Sequence, residues 1–338
     1  GKGSWYAAGR AIWMDRDSDD EVYFSVFDNA LDVGLLSTDD AQMQTTAGGE
    51  VTIGRYLGCG CNALEVTYWG IDPTRQEDRV LDPNAIGAAP NLISAFDMTT
   101  LNYDDGVNPV ASIDNWFNNA RAHLLTRDFR YDNLELNFVH HSCTGCCSGL
   151  CGKQRRYNVS MLCGIRYIDM DEDVLFAADD VDSVFDGGFG EVKYCIDLEN
   201  QMLGFQLGAR GDYYVNDCLA LHTTCKVGIY GNRVSHHSFV GGVNAAVVGA
   251  GPNAGREFDI YSNKTDVAML GELDLGASYQ LSCRWRATAG YRVLAISGVA
   301  LPGDQIPSNF ADIDGVADIG TDGSLLLHGG YAGLEFCY

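Results

Sequence analysis

Ten long stretches of this chain alternate between apolar and polar residues, and no other feature constrains its fold as strongly. Successive side chains of a β-strand point to opposite faces of a sheet, so the alternation predicts strands that each have one apolar face. Most of the stretches exceed the usual length of about five or six residues. They cover roughly 4–15, 50–57, 61–72, 125–141, 155–169, 192–215, 218–233, 266–281, 283–299 and 323–338.

The connectors between these stretches alternate in length. Short connections lie at 58–60, 142–152, 216–217 and 282, and the long loops cover about 16–49, 73–124, 170–191, 234–265 and 300–322. Short turns at one end, long loops at the other and an even strand number are typical of outer-membrane β-barrels. We therefore predict one all-β domain over residues 1–338. It is a transmembrane antiparallel up-and-down β-barrel of about ten strands, with short periplasmic turns and long extracellular loops. A further hairpin within 73–124 would make twelve strands.

Alternation alone also fits a soluble β-sandwich whose apolar faces share a core. Two features favour the barrel. The chain ends in an alternating strand that finishes on the aromatic Tyr338. Aromatic residues also lie near predicted strand ends, as an interfacial girdle requires. These are Trp5, Trp13, Trp69, Tyr213, Trp285 and Tyr338.

The charge of the chain excludes some partners. It has 22 Lys and Arg against 46 Asp and Glu, a formal net charge of −24. Such a chain does not suit a nucleic-acid partner. Twelve cysteines, an even number, favour an exported protein. We predict export through the periplasm to the outer membrane, with a signal peptide removed, and contact with the lipid bilayer and lipopolysaccharide.

Charged residues on the second face of the strands are predicted to point into the barrel. There are seven cations and six carboxylates, a nearly balanced set that predicts mutual neutralisation across the lumen. About eight strands are just filled by side chains, whereas general porins need about 16 to 18. We therefore expect a filled lumen and, at most, an ion-sized path. The predicted lumen residues are Arg10, Glu65, Glu135, Arg166, Arg210, Asp212, Lys226, Glu272, Asp274, Arg284, Arg286, Arg292 and Glu335.

Nine of the twelve cysteines lie in short turns or at strand ends on the predicted periplasmic side. A CxxC motif at Cys143 to Cys146 could bind zinc or an iron–sulfur cluster, but no second such pair accompanies it. We favour disulfides that join the turns and stiffen the rim, with the pairing left open. The candidates are Cys59, Cys61, Cys143, Cys146, Cys147, Cys151, Cys218, Cys283 and Cys337.

Acidic residues recur in the long loops. In the last loop, Asp312, Asp314, Asp318 and Asp322 are spaced with intervening glycines, a weak Ca²⁺ pattern without the full EF-hand spacing. Solvated acidic loops are the alternative. We expect no other cofactor. The chain has none of the common hydrolase, metalloprotease or nucleotide-binding motifs, so we predict that it is not an enzyme.

Three segments carry a family resemblance. They are the opening strand 4–17, the hairpin 54–70 with Gly-Arg-Tyr-Leu and Asn-Ala-Leu-Glu-Val-Thr-Tyr-Trp-Gly, and Asn-Leu-Glu-Leu-Asn at 133–137. Together they resemble the outer-membrane β-barrel family abundant in planctomycetes, here in a cysteine-rich form. The resemblance implies fold and location and leaves the biochemical role open.

We expect a structural role in the cell envelope, with the barrel assembling with its own copies or neighbours into an oligomer or array. The first alternative is a narrow porin-like channel for ions or small solutes. Its path would be lined by Arg210, Glu272, Asp274, Arg284, Arg286 and Arg292. The second alternative is a soluble extracellular β-sandwich adhesin.

Overall fold

The computed structural model describes residues 5–18, 21–27, 34–57, 61–82, 92–118, 120–142, 156–188 and 190–338. Ten long strands, β1 to β10 in chain order, form the wall of a barrel. Their bounds are β1 Trp5–Ser18, β2 Thr46–Leu57, β3 Asn62–Leu81, β4 Ala122–His141, β5 Tyr157–Asp179, β6 Glu191–Tyr214, β7 Leu219–Gly241, β8 Asp259–Gln280, β9 Trp285–Val299 and β10 Gly323–Cys337.

Each strand pairs antiparallel with its neighbours in sequence, and β1 pairs with β10 to close the barrel. The closing register runs from Tyr6 opposite Cys337 to Ser18 opposite Leu325. The ten predicted strands are thus confirmed, and the barrel has ten strands and not twelve. A β-sandwich has two sheets with open edges, so the soluble sandwich prediction is wrong.

A belt of exposed apolar side chains surrounds the lower part of the barrel, next to the short turns. On β4, for example, Leu134, Leu136 and Phe138 point outward, whereas Glu135 and Asn137 between them are buried. Exposed apolar surface of this extent is stable in contact with lipid and is rare on soluble monomers. The belt marks the membrane-spanning segments. It includes Val51, Ile53, Leu64, Val66, Tyr68, Val159, Met161, Ile165, Leu203, Phe205, Leu207, Leu221, Val227, Ile229, Met269, Leu273, Leu275 and Leu334.

Aromatic residues lie on the outer surface of this belt as predicted, with one exception. Trp5, Trp13 and Trp285 are 45–49% exposed. Trp69 is 0% exposed and lies inside the barrel, because it shares a face with Glu65 and Thr67 and not with Tyr68. The expectation that Trp69 belongs to the girdle is therefore wrong.

Several strands extend well beyond the belt toward the long loops, so the predicted loop boundaries are too wide there. The wall between β5 and β6 continues to the pair of Asp179 with Glu191. In this upper part the outward face is polar, and the inward face becomes apolar. Residues 170–179 and 234–241 therefore belong to strands and not to loops.

Small elements in the long loops cover the upper end of the barrel. Two three-stranded sheets are formed by Tyr23–Phe27, Gly34–Ser37 and Leu92–Ser94, and by Leu101–Tyr103, Ala111–Ser112 and Val247–Val248. Two short helices are α1, Asp114–Asn118, and α2, Ile313–Ala317. These elements pack on an apolar cluster that includes Phe24, Phe117, Phe176, Tyr194, Phe258 and Phe310. Together these small elements form a cap over the upper end of the barrel, and this cap has a packed apolar core.

Among the described residues, no helix combines the length and the apolar composition needed to cross a bilayer.

The barrel wall approaches itself closely where β10 meets β1, at Gly329. A Cβ atom at Gly329 would lie 1.9 Å from the carbonyl oxygen of Trp13. We expect Gly329→Ala to lower the free energy of unfolding by about 1–3 kcal/mol, because the strands must separate to admit the methyl group. Urea unfolding in detergent would measure this. Gly9→Ala is the matched control, since a Cβ at Gly9 meets nothing within 4 Å. Equal losses in both variants would contradict the prediction.

Candidate functional site

The lower lumen contains a polar cavity of about 260 Å³. Eleven of the thirteen predicted lumen residues line it, and Arg166 lies directly behind its wall. The eleven are Arg10, Glu65, Glu135, Arg210, Asp212, Lys226, Glu272, Asp274, Arg286, Arg292 and Glu335. The alternation predicts the inward face of all eleven correctly, and the closure of the barrel brings them together.

Four of these residues form a buried charge network across the lumen: Glu135 of β4, Arg166 of β5, Lys226 of β7 and Glu272 of β8. The Lys226 ammonium lies 3.0 Å from a carboxylate oxygen of Glu135 and 3.0 Å from one of Glu272. The Arg166 guanidinium lies 2.7 Å from Glu272, and its Nε donates to Asn133. Gln206 also donates to Glu135, at 2.7 Å. The four charged side chains are 0–7% exposed, so each depends on its partners for compensation.

A second group of ion pairs extends this network toward β1, β2 and β9. Glu50 accepts from Arg10 at 2.7 Å and lies 2.6 Å from Arg292. Arg292 also lies 3.4 Å from Asp274, which accepts from Tyr331 at 2.6 Å. These contacts tie the closing strands of the barrel to the charge network.

A third ion pair, between Arg210 and Glu65, joins two strands across the lower lumen. Arg210 of β6 binds Glu65 of β3 through two hydrogen bonds of 2.6 and 2.8 Å. The Tyr6 hydroxyl donates to the same carboxylate at 2.7 Å. A bidentate arginine–carboxylate pair is both strong and directional, so it holds these strands in register across the lumen.

The structure corrects the predicted set at two positions. Arg284 is exposed in the turn before β9, which begins at Trp285, so it does not line the lumen. Glu50 does line it and is 3% exposed. Its shared face with Thr52 on β2 is the signal that identifies it. With both changes, the charged set of the lower lumen has six cations and seven carboxylates, where the sequence predicted seven and six.

An apolar layer fills the lumen directly above the charge network. It joins side chains from most of the wall strands, and two loop residues, Met43 and Leu301, pack against it. Side chains with no exposed surface are not in contact with a water-filled path. Those that are 0% exposed include Trp69, Tyr131, Ile168, Met170, Met202, Leu294 and Leu327. The lumen is thus closed by two successive layers, one charged and one apolar.

The predicted disulfide cysteines have different outcomes. Cys61 is disulfide-bonded. Cys218, Cys283 and Cys337 are at the lower rim as predicted, but each is a free thiol, so the structure does not contain the disulfides predicted for these three. Cys59, Cys143, Cys146, Cys147 and Cys151 lie outside the described residues.

The last loop does not assemble the predicted Ca²⁺ site. Asp312 caps α2 by accepting from the Gly315 amide, Asp314 lies 3.5 Å from Arg256, and Asp318 lies 4.0 Å from Lys264. Asp322 lines a separate cavity with Arg16. Local capping and surface pairing therefore use these carboxylates separately, and they do not form one group here. Ca²⁺ binding by this loop stays a prediction.

A different group of acids is close enough to share a cation. Ligand atoms of Asp169, Asp171 and Glu199 all lie within 4.8 Å of one another, on the outer wall above the belt. Cation binding there stays a prediction. Asp171, which the sequence places in the predicted loop 170–191, lies on strand β5.

Asp173, an acidic residue on the same outer wall, leads us to expect a pH effect on the stability of the folded chain. Partial burial, together with the carboxylates of Asp197 and Asp128, raises the pKa of Asp173 from its ordinary value to about 7. The folded chain therefore retains this proton at pH values where the unfolded chain has lost it. The contribution of Asp173 to the unfolding free energy therefore falls as the pH rises from about 4 to about 7, and it stays level above that.

We expect Asp173→Asn to remove this contribution, so that the unfolding free energy depends less on pH over that interval. Chemical unfolding at about pH 5 and about pH 8 measures it. Asp217→Asn, in the exposed turn between β6 and β7, is the control. An unchanged pH dependence in Asp173→Asn would contradict the prediction.

Comparisons with known proteins find one family, whose description agrees with this architecture, and several solved structures. The family described as "Putative beta barrel porin-7 (BBP7)" matches residues 17–321. The Escherichia coli outer membrane protease OmpT is 10% identical, with a TM-score of 0.49, over 99% of this chain and 97% of the protease. A major outer membrane protein of Thermus thermophilus is 10% identical, with a TM-score of 0.35, over 99% of each chain. OprG of Pseudomonas aeruginosa is 10% identical, with a TM-score of 0.31, over 98% of this chain and 96% of OprG. No curated protein matches the chain.

Proposed function

This chain belongs to the BBP7 β-barrel porin family, and we propose that it serves as a structural barrel of the outer membrane whose lumen is closed. The observation that carries the proposal is the pair of layers in the lumen. The side chains of the charge network and of the apolar layer above it are both buried. A permeating ion would have to cross both.

The two layers oppose permeation for different reasons. In the charge network, each ion is already compensated by a partner in a low-dielectric environment, and separating such partners leaves a buried charge unpaired. In the apolar layer, an ion would lose its hydration shell without gaining polar partners. Arg210, Arg286 and Glu335 line the lower cavity and are partly exposed, but the charge network above them is buried, as a continuous water-filled pore would not allow.

Contact with the lipid bilayer is supported by the exposed apolar belt. Contact with lipopolysaccharide and assembly with copies of itself or with neighbours remain part of the proposal. We also propose that the likeness extends specifically to the planctomycete barrels, and that a disulfide at Cys61 stiffens the rim. The porin description of the family supports a role without catalysis.

Liposome swelling tests the proposal. The purified protein is reconstituted into liposomes and exposed to gradients of small sugars and amino acids. We expect swelling rates equal to those of liposomes without protein, while protease protection shows that the barrel is inserted. Solute-dependent swelling above this background would overturn the closed-barrel proposal.

A narrow channel is the second candidate, and one observation favours it. Polar cavities of about 260 Å³ and 190 Å³ lie below and above the apolar layer, and charged side chains line both. If the apolar layer moved aside, the two cavities could join into a path. Repeating the swelling assay at several pH values separates the two candidates. Swelling above background at any pH supports the channel, and background rates at every pH support the closed barrel.

A further inference from the structure

The upper lumen contains a second cavity of about 190 Å³, which we call the upper cavity. It is lined by Arg16 of β1, Arg127 of β4 and Glu172 of β5, together with the segment 301–304 and the start of β10. We propose that the upper cavity binds a small carboxylate or phosphate anion through Arg16 and Arg127.

The buried charges of the upper cavity do not balance. The two arginines share a single carboxylate: Arg16 binds both oxygens of Glu172 at 2.7 Å, and Arg127 binds one of them at 2.8 Å. Arg16, Arg127 and Glu172 are 4%, 8% and 1% exposed. Among these buried side chains, two cations face one anion, whereas Asp304 and Asp322 lie on the exposed side of the cavity. An excess of one positive charge among buried groups is unfavourable.

The hydrogen bonds show the same deficit. Arg127 uses one terminal nitrogen on Glu172 and the other on the Thr38 carbonyl oxygen, at 2.9 Å. The Nε atoms of Arg16 and Arg127 are both buried and have no acceptor among the described residues. Buried donors of charged groups normally find a partner. An anionic oxygen in the cavity would supply both the missing acceptor and the missing charge.

The position and size of the cavity limit the ligand. All three charged residues point into the barrel, so an anion attached to a lipid cannot reach them from the bilayer. A volume of about 190 Å³ equals roughly six water molecules in the liquid, which suits acetate or orthophosphate. Asp322, on the exposed side of the same cavity, opposes anions and thereby limits the net charge that binds.

Titration calorimetry tests the proposal with the full chain purified in a nonionic detergent that contains no phosphate. The probes are acetate and orthophosphate. We expect at least one of them to bind the wild type. Arg127→Gln should bind it about tenfold more weakly or worse, because the remaining Arg16–Glu172 pair is neutral. Arg130→Gln is the matched control, three residues along β4 on the outer face, and should bind as the wild type does.

A second variant keeps the test decisive if Arg127→Gln does not fold. Asp322→Asn removes an exposed carboxylate from the cavity wall and should tighten binding of the same anion. The proposal is overturned if the wild type binds neither anion, if Arg127→Gln binds as tightly as the wild type, or if Asp322→Asn leaves the affinity unchanged. These outcomes do not depend on whether the barrel conducts, so they are separate from the test of the closed lumen.

Discussion

Replacing Arg166 with methionine is expected to lower the free energy of unfolding by about 3–5 kcal/mol. Arg166 is fully buried and lies 2.7 Å from Glu272 and 3.8 Å from Glu135. Methionine keeps much of the side-chain volume but supplies no charge. Glu135 and Glu272 then share Lys226, and Glu272 has in addition only Arg292 at 3.8 Å. Removing one partner of a buried pair costs more than the pair itself contributes.

Unfolding of the purified barrel in detergent, followed by tryptophan fluorescence against urea, measures this loss. Arg284→Met is the control, since Arg284 is exposed in a turn, and we expect its effect to be within about 0.5 kcal/mol. A loss in Arg166→Met no larger than that in Arg284→Met would show that the lumen charges are hydrated. The network would then not be the buried element described above.

Replacing Leu136 with arginine is expected to lower the stability by about 2–4 kcal/mol in a lipid bilayer. Leu136 points outward between Leu134 and Phe138 and is 39% exposed, in the middle of the apolar belt. An arginine there would place its charge in the hydrocarbon region. The size of the effect depends on depth, so it reports where the membrane lies on the barrel.

Folding into lipid vesicles from urea provides the measurement. Val107→Arg is the control, because Val107 is 73% exposed in a long loop above the belt. We expect it to leave the stability nearly unchanged. A similar cost at both positions, or no cost at Leu136, would contradict the assignment of the outer face to lipid.

The sequence predicts the lower barrel well because the lipid imposes one rule on every strand there. On β5, Val159, Met161 and Ile165 point outward, whereas Ser160, Gly164 and Arg166 point inward. Above the membrane this rule inverts. Asp171 and Asp173 now point outward, and Met170 and Val174 point inward. The apolar face of β5 changes from outward to inward above the membrane. For this reason the predicted strand ends near residue 169, ten residues before the observed end at Asp179.

The pairing of the lumen charges could not be predicted from the sequence. Glu172 lies 156 residues from Arg16 in the chain, and the barrel closure alone brings them together. Alternation gives the face of a residue, whereas the tilt and register of the strands set its height in the lumen. For this reason the sequence predicts which charges face inward but not the charge network, the apolar layer above it or the unbalanced arginine pair.

The most direct test of the closed lumen is the single-channel conductance of the purified protein in a planar bilayer. Insertion is verified separately by protease protection of the membrane-spanning segments. The layers in the lumen predict that inserted wild-type protein gives no conductance steps above the leak of the bare bilayer. Stable, reproducible steps from the wild type would contradict the closed lumen and establish the narrow channel in its place.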